Sequence, residues 1–120
     1  FPPKAHMEFE NKKFFINSTL AVATLALSYF FWQSPVLLVV FLGVTSILMV
    51  WNEGDRVALY VFGVGFILGP LAEALAIQAG AWTYADPHFL GFSVWLPFLW
   101  GNTGLFFRRL NLFVGYLFRK

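Results

Sequence analysis

Apolar residues run along this chain in long blocks, and the polar positions fall between the blocks rather than alternating within them. An α-helix rises about 1.5 Å per residue, so roughly 20 apolar residues cross the hydrocarbon core of a bilayer. The first block, FFINSTLAVATLALSYFFW, covers residues 14–32. Gln33, Ser34 and Pro35 then read as a tight turn, because proline cannot continue a helix and its predecessor avoids the α region. The second block, 36–51, is on the short side, and NEGDR follows as a polar loop with Gly54 as its turn residue. A third block covers 57–79. The fourth opens near Phe92 and reaches 109, and the tail 110–120, LNLFVGYLFRK, either prolongs that helix or lies along the interface. This pattern predicts an all-α polytopic membrane protein, a four-helix transmembrane bundle forming a single domain over 1–120.

Composition agrees. The chain is 59% hydrophobic and only 12% charged, with 16 phenylalanines, against about 25% charged residues in a soluble domain. A water-facing surface cannot be assembled from it. The net charge of +2 needs no nucleic-acid partner, because the basic residues have a topological explanation. They lie in the N-terminal arm (Lys4, Lys12, Lys13), the middle loop (Arg56) and the C-terminal end (Arg108, Arg109, Arg119, Lys120), and none lies in 33–35 or 80–92. By the positive-inside rule both termini are cytoplasmic and residues 80–97 face outward, with the inner cell membrane as the expected location. Arg108 and Arg109 then read as anchors that snorkel to headgroups. Lys12-Lys13 before an apolar run imitates a signal peptide, but the run is too long and no small-x-small cleavage site follows, so it reads as a retained span. With no cysteine, disulfides, thiolate metal sites and cysteine nucleophiles are excluded.

Glu73 is the principal candidate for chemistry. It lies sixteen positions into the third block, roughly 10 Å below the outer surface, where an acidic side chain costs about 2.5–3.5 kcal/mol to insert. It should face the bundle interior, with a partner or a proton. Gly65, Gly69, Ala72, Ala76 and Gly80 fall near the same face and would let another helix approach. Pro70 should kink the helix and free a carbonyl near Phe66. Glu73 is therefore either a proton donor or a structural tie between helices. Trp95, Trp100 and Asn102 bracket it in depth, while Asn17, Ala21, Thr24 and Ser28 form one stripe suited to helix-to-helix hydrogen bonds. Trp82, Tyr84 and Trp95 match an interfacial aromatic belt. Asp86 and His88 flank Pro87 as a turn and are too few for a metal site.

GAWTY at 80–84, five further residues, LGFSVWLP at 90–97 and Phe106-Phe107 together resemble the small membrane lycopene cyclases of the heterodimeric bacterial and fungal type. Those proteins are short helical bundles that close the ends of a linear carotenoid polyene by acid catalysis. The resemblance covers residues 73–107, with Trp82, Thr83, Tyr84, Gly91 and Pro97 at matching positions and Glu73 near an acidic residue that often precedes the motif. The family's proline is followed closely by a glutamate pair, whereas this chain has Phe98, Leu99 and Trp100 there. The resemblance implies an apolar isoprenoid ligand, with Glu73 as the acid and Trp82, Tyr84, Trp95, Trp100 and Asn102 around the ligand. A bound carotenoid, another pigment or a lipid is the implied cofactor. The alternative is a non-catalytic accessory subunit of a larger photosynthetic or respiratory assembly. Its partners would be the lipid bilayer together with other membrane proteins or further copies of itself.

Overall fold

A computed structural model describes residues 4–118, with side chains described from Glu10 onward. Arg119 and Lys120, two of the basic residues used to orient the chain, lie outside the described residues. Four helices follow one another: α1 (Lys4–Phe31), α2 (Pro35–Glu53), α3 (Arg56–Gln78) and α4 (Leu96–Leu117). Three of them have stretches long and apolar enough to cross a membrane, Glu10–Phe31, Pro35–Glu53 and Arg56–Gln78. The fourth does not qualify on composition. At 22 residues it is about 33 Å long, but Arg108 and Arg109 interrupt its apolar run.

The punctuation residues act as their chemistry dictates. Pro35 opens α2 at a position where its missing N–H costs nothing. Gly54 ends the helix in the left-handed region at φ 80°, its N–H donating to the Val50 carbonyl. Asp55 caps α3, its side chain accepting from the Ala58 N–H at 3.0 Å. Helix α3 continues unbroken through Pro70.

Two boundaries differ from the sequence pattern. Glu53, expected in a polar loop, belongs to the last turn of α2. Phe92, expected to open the fourth helix, instead closes a small hairpin. The His88 and Phe89 N–H groups both donate to the Phe92 carbonyl, and the Phe92 N–H donates to the Phe89 carbonyl. Leu90 at φ 50° and Gly91 at φ 88° supply the reversal. Helix α4 starts only at Leu96, with Pro97 in its first turn, and then runs on to Leu117, so the C-terminal segment is a helical extension.

Helix α4 is the hub. It packs against α3, α1 and α2, while α2 and α3 barely meet. The α3–α4 seam depends on glycine. A Cβ on Gly65 would lie 2.7 Å from the Trp100 carbonyl oxygen, and one on Gly69 would lie 2.2 Å from the Trp100 indole. On the α4 side, a Cβ on Gly101 would lie 2.4 Å from the Phe62 ring. The small-residue face expected on α3 is thus used at Gly65 and Gly69, whereas Gly80 lies beyond the helix in a left-handed turn at φ 86°. Leu38, Leu42, Ala74, Phe92, Trp95 and Leu96 form the core at the loop end. Met49, Ala58 and Leu105 form it at the other end. Outward-facing positions carry exposed Val22, Ile47, Ile67 and Leu75, a surface suited to acyl chains.

Candidate functional site

Glu73 projects from the last third of α3, half-buried, and both of its carboxylate oxygens are engaged. Oε1 accepts from the Tyr84 hydroxyl, and Oε2 accepts from the Trp100 indole N–H. Each donor is placed by a local feature of the sequence. Trp100 packs directly against Gly69, where only hydrogen leaves room for the indole. Tyr84 is carried back over the end of α3 by the turn at Gly80, whose N–H donates to the Ile77 carbonyl at 3.0 Å. Ser93 then ties the loop together, its hydroxyl donating to the Asp86 carbonyl at 2.6 Å. Trp95 is buried and meets the Tyr84 ring edge-to-face, centroids 6.4 Å apart.

The two donors are not equivalent. An indole N–H only donates, whereas a phenol hydroxyl donates or accepts. Oε2 is therefore held as an acceptor by Trp100, while the bond between Oε1 and Tyr84 accommodates a proton on either partner. Burial pushes the Tyr84 hydroxyl up from its ordinary value, and the Glu73 hydrogen bond and charge push it further, so Tyr84 keeps its proton near neutral pH. A mainly apolar groove of about 520 Å³ runs between α3 and α4, lined by Tyr60, Val64, Leu68, Gly69, Trp100 and Phe107. On the loop side a second depression of about 340 Å³ is bordered by Ser28, Trp32, Tyr84, Asp86 and Trp95. Through its two partners, Glu73 is tied to side chains from both spaces.

Of the residues singled out in the sequence, the fold brings Tyr84 and Trp100 onto Glu73 and sets Trp95 against Tyr84. Trp82 stays on the exposed side of the loop, 46% accessible. Asn102 sits elsewhere, fully buried. Its Oδ1 accepts from the Ser46 hydroxyl at 2.7 Å and its Nδ2 donates to the Thr24 hydroxyl at 3.1 Å, tying α1, α2 and α4 together. Asp86 and His88 face each other at 3.4 Å, and His88 Nδ1 accepts from the Val94 N–H, an arrangement that braces the loop.

A second polar centre lies at the opposite end, and the sequence pattern did not disclose it. The Arg108 and Arg109 side chains are not extended anchors. Arg109 is only 3% exposed; it donates through Nε and Nη2 to the two oxygens of Glu53, both at 2.9 Å, and through Nη1 to Glu10 at 2.8 Å. Arg108 reaches Glu53 at 2.7 Å and grips Asp55 through both terminal nitrogens. Asn17 donates to Glu53 at 2.6 Å, and Lys13 donates to the Glu53 backbone carbonyl at 2.7 Å. Three cations meet three carboxylates. One signal for this existed in the chain: apolar residues resume after Arg109, so the arginines lie within a helix and not at its end.

The Arg108 hydrogen bond holds the Asp55 carboxyl below its ordinary value. A folded-state value lower than the unfolded one means stability that is present above about pH 4 and lost as the pH falls through the folded value. An acid titration of helical content in detergent is therefore expected to show weakening below about pH 4, and less of it in Asp55→Asn, which keeps the helix cap. Equal slopes for the two proteins would show that this carboxylate contributes nothing to acid sensitivity.

No protein-family model matches this chain, and no curated protein or solved structure matches it either.

Proposed function

We propose that the protein is a small integral membrane protein that binds, and by acid catalysis processes, an apolar isoprenoid of the carotenoid type. The observation that carries this reading is the Glu73 carboxyl, gripped by Tyr84 and by Trp100, whose side chain also lines the apolar α3–α4 groove. In this reading α4 is the fourth span. Its arginines are neutralised by Glu53, Asp55 and Glu10, which lowers the cost of carrying them into the membrane. Lys13, Arg108 and Arg109 gather at one end with the start of α3, which supports, by the positive-inside rule, a topology with both termini on the cytoplasmic side of the inner membrane and the Tyr84 loop outside.

The groove suits a polyene because its lining is aliphatic and aromatic with almost no polar atoms. In the acid step, a proton on Glu73 Oε1 passes to a terminal double bond, forming a C–H bond and a carbocation. A neighbouring double bond attacks that cation and forms the ring C–C bond. Loss of a proton from the adjacent carbon to the Glu73 carboxylate completes an isomerisation with no net oxidation. The aromatic rings near the acid, Trp100 bonded to it and Trp95 beside Tyr84, are of the type that stabilises a transient positive charge. The likeness of the 80–97 stretch to small lycopene cyclases supports the same substrate class, with Glu73 in place of the glutamate pair that follows the proline in that family.

A second reading, an accessory subunit of a larger membrane assembly, is favoured by α3, which is packed mainly against α4 and leaves Ile67, Leu71 and Leu75 exposed. Gentle detergent extraction separates the two. Stoichiometric isoprenoid in the organic extract, seen by visible absorbance and mass spectrometry, supports the first. A stoichiometric larger protein partner and no retained polyene, even after addition of one, would overturn it in favour of the second.

A further inference from the structure

Residues 88–94 present hydrocarbon where a turn in water would present polar groups. Phe89 is 64% exposed, Leu90 53% and Val94 44%, and no charged residue occurs from Phe89 to Phe107. Leu90 stands in the left-handed region at φ 50°, a conformation that most side chains avoid and that glycine and asparagine adopt at less cost. With more than half of its surface exposed, Leu90 recovers little of that strain from contacts within the protein. A leucine both strained and exposed points to a medium outside the protein that takes up its side chain.

The backbone of the segment suits an apolar medium. Away from water an N–H group needs a partner within the protein, and those of His88, Phe89, Phe92 and Val94 have one. The Phe92 carbonyl accepts the first two at 2.9 and 3.0 Å, the Phe89 carbonyl accepts the third at 2.9 Å, and His88 Nδ1 accepts the fourth at 3.0 Å. Depth follows from Gly91, where a Cβ would lie 2.7 Å from the Ile77 side chain. Ile77 is the last residue but one of α3. At 23 residues that helix is about 35 Å long, against a hydrocarbon core of about 30 Å. The hairpin therefore lies where the span leaves the core.

The hairpin is also continuous with the lipid-facing surface of α3. Phe89, Leu90 and Val94 share an apolar depression of about 410 Å³ with Ile67, Leu71 and Phe98, and Ile67 and Leu71 are themselves exposed on α3. We propose that the 88–94 hairpin is a membrane-inserted element. Phe89 and Leu90 enter the leaflet at the loop end of the bundle, and an acyl chain of that leaflet fills the depression between the hairpin and α3. The insertion is interfacial rather than spanning, as for an apolar surface that sinks about 5–10 Å into the boundary between headgroups and acyl chains. It rests on the chain being embedded in a bilayer and not on the chemistry proposed for Glu73.

The chain has no cysteine, so a nitroxide on a single introduced cysteine reports on one position. The full chain in vesicles of phosphatidylcholine and phosphatidylglycerol carries the label in Leu90→Cys or Val94→Cys, with Ile67→Cys as the acyl-chain reference and Arg56→Cys as the aqueous one. Electron paramagnetic resonance reads collisions with oxygen, which concentrates in hydrocarbon, and with a water-soluble nickel chelate. Positions 90 and 94 are expected to match position 67, with frequent oxygen and few chelate collisions. Adding Phe89→Ser and Leu90→Asn should strip the position 94 label of its shielding from the chelate. An unchanged reading at position 67 in that background shows that the bundle is folded. Glu73→Gln should leave every reading in place, so a failure of the chemistry proposed for Glu73 is told apart from a failure here. Chelate access at position 90 equal to that at position 56 would put the hairpin in water. Few collisions with either reagent would mean that a second copy or another protein covers it. Either result overturns the proposal, as does a position 94 label that the added substitutions leave unmoved.

Discussion

Replacing Glu53 with alanine is expected to destabilise the bundle by about 3–5 kcal/mol, the cost of breaking a buried ion pair from one side. The carboxylate is 2% exposed and accepts from Arg108, Arg109 and Asn17. Its removal leaves Arg109 desolvated with Glu10 as its one remaining direct carboxylate partner among the described residues. Arg108 suffers less, because Asp55 still holds it through two hydrogen bonds. The paired change of Glu53 and Arg109 to leucine should therefore be milder than Glu53→Ala alone, since it removes both charges together. Reversible unfolding in mixed micelles measures the difference. A loss under about 1 kcal/mol in the single variant would show that water reaches the cluster and screens it as it does a surface pair.

Glu73→Gln is expected to abolish turnover of a polyene while leaving the fold and ligand binding in place. The carboxamide has nearly the same shape. Its oxygen turns to the Trp100 N–H and its NH₂ to the Tyr84 oxygen, which is able to accept, so neither partner is stranded. The dissociable proton, however, is gone, and general acid catalysis is typically worth about 10²–10⁴ in rate. Glu73→Leu gives the contrast: Trp100 and Tyr84 both lose their acceptor, and a structural loss of about 1–3 kcal/mol follows for each group left unsatisfied. Turnover by the purified variants, alongside retention of bound polyene, distinguishes the roles. Full activity in Glu73→Gln would reduce Glu73 to a tie between α3, α4 and the loop.

The helices were largely legible because their signals are local. Apolar length, Pro35 and Gly54 each act within a few residues of their position. The interior placement of Glu73 was legible for a related reason, since one acid deep in an apolar block has few tolerable surroundings. Its choice of Trp100 and Tyr84 was legible only as a shortlist. Selecting them required the close approach of an indole to Gly69 and the reversal at Gly80, which are matters of three-dimensional fit. The start of α4 was misread because hydropathy does not distinguish Phe92 in a hairpin from Phe92 in a helix. The Glu53–Arg108–Arg109 cluster was missed because its members are 55 and 56 residues apart, and hydropathy assigns charges to the ends of spans by default. Asn102 shows the same limit. Depth alone placed it beside Glu73, but rotation about the helix axis turns it toward Ser46 and Thr24.

The central position of α4 has a consequence for biosynthesis. Glu53 leaves the ribosome 55 residues ahead of Arg108, so until α4 arrives its carboxylate has Asn17 as a donor but neither arginine. Helix α3 waits as well, because the surface it docks on is made last. The α1–α2 contact needs no later segment, whereas a nascent chain that stalls before residue 108 presents the Glu53 carboxylate without its two arginines.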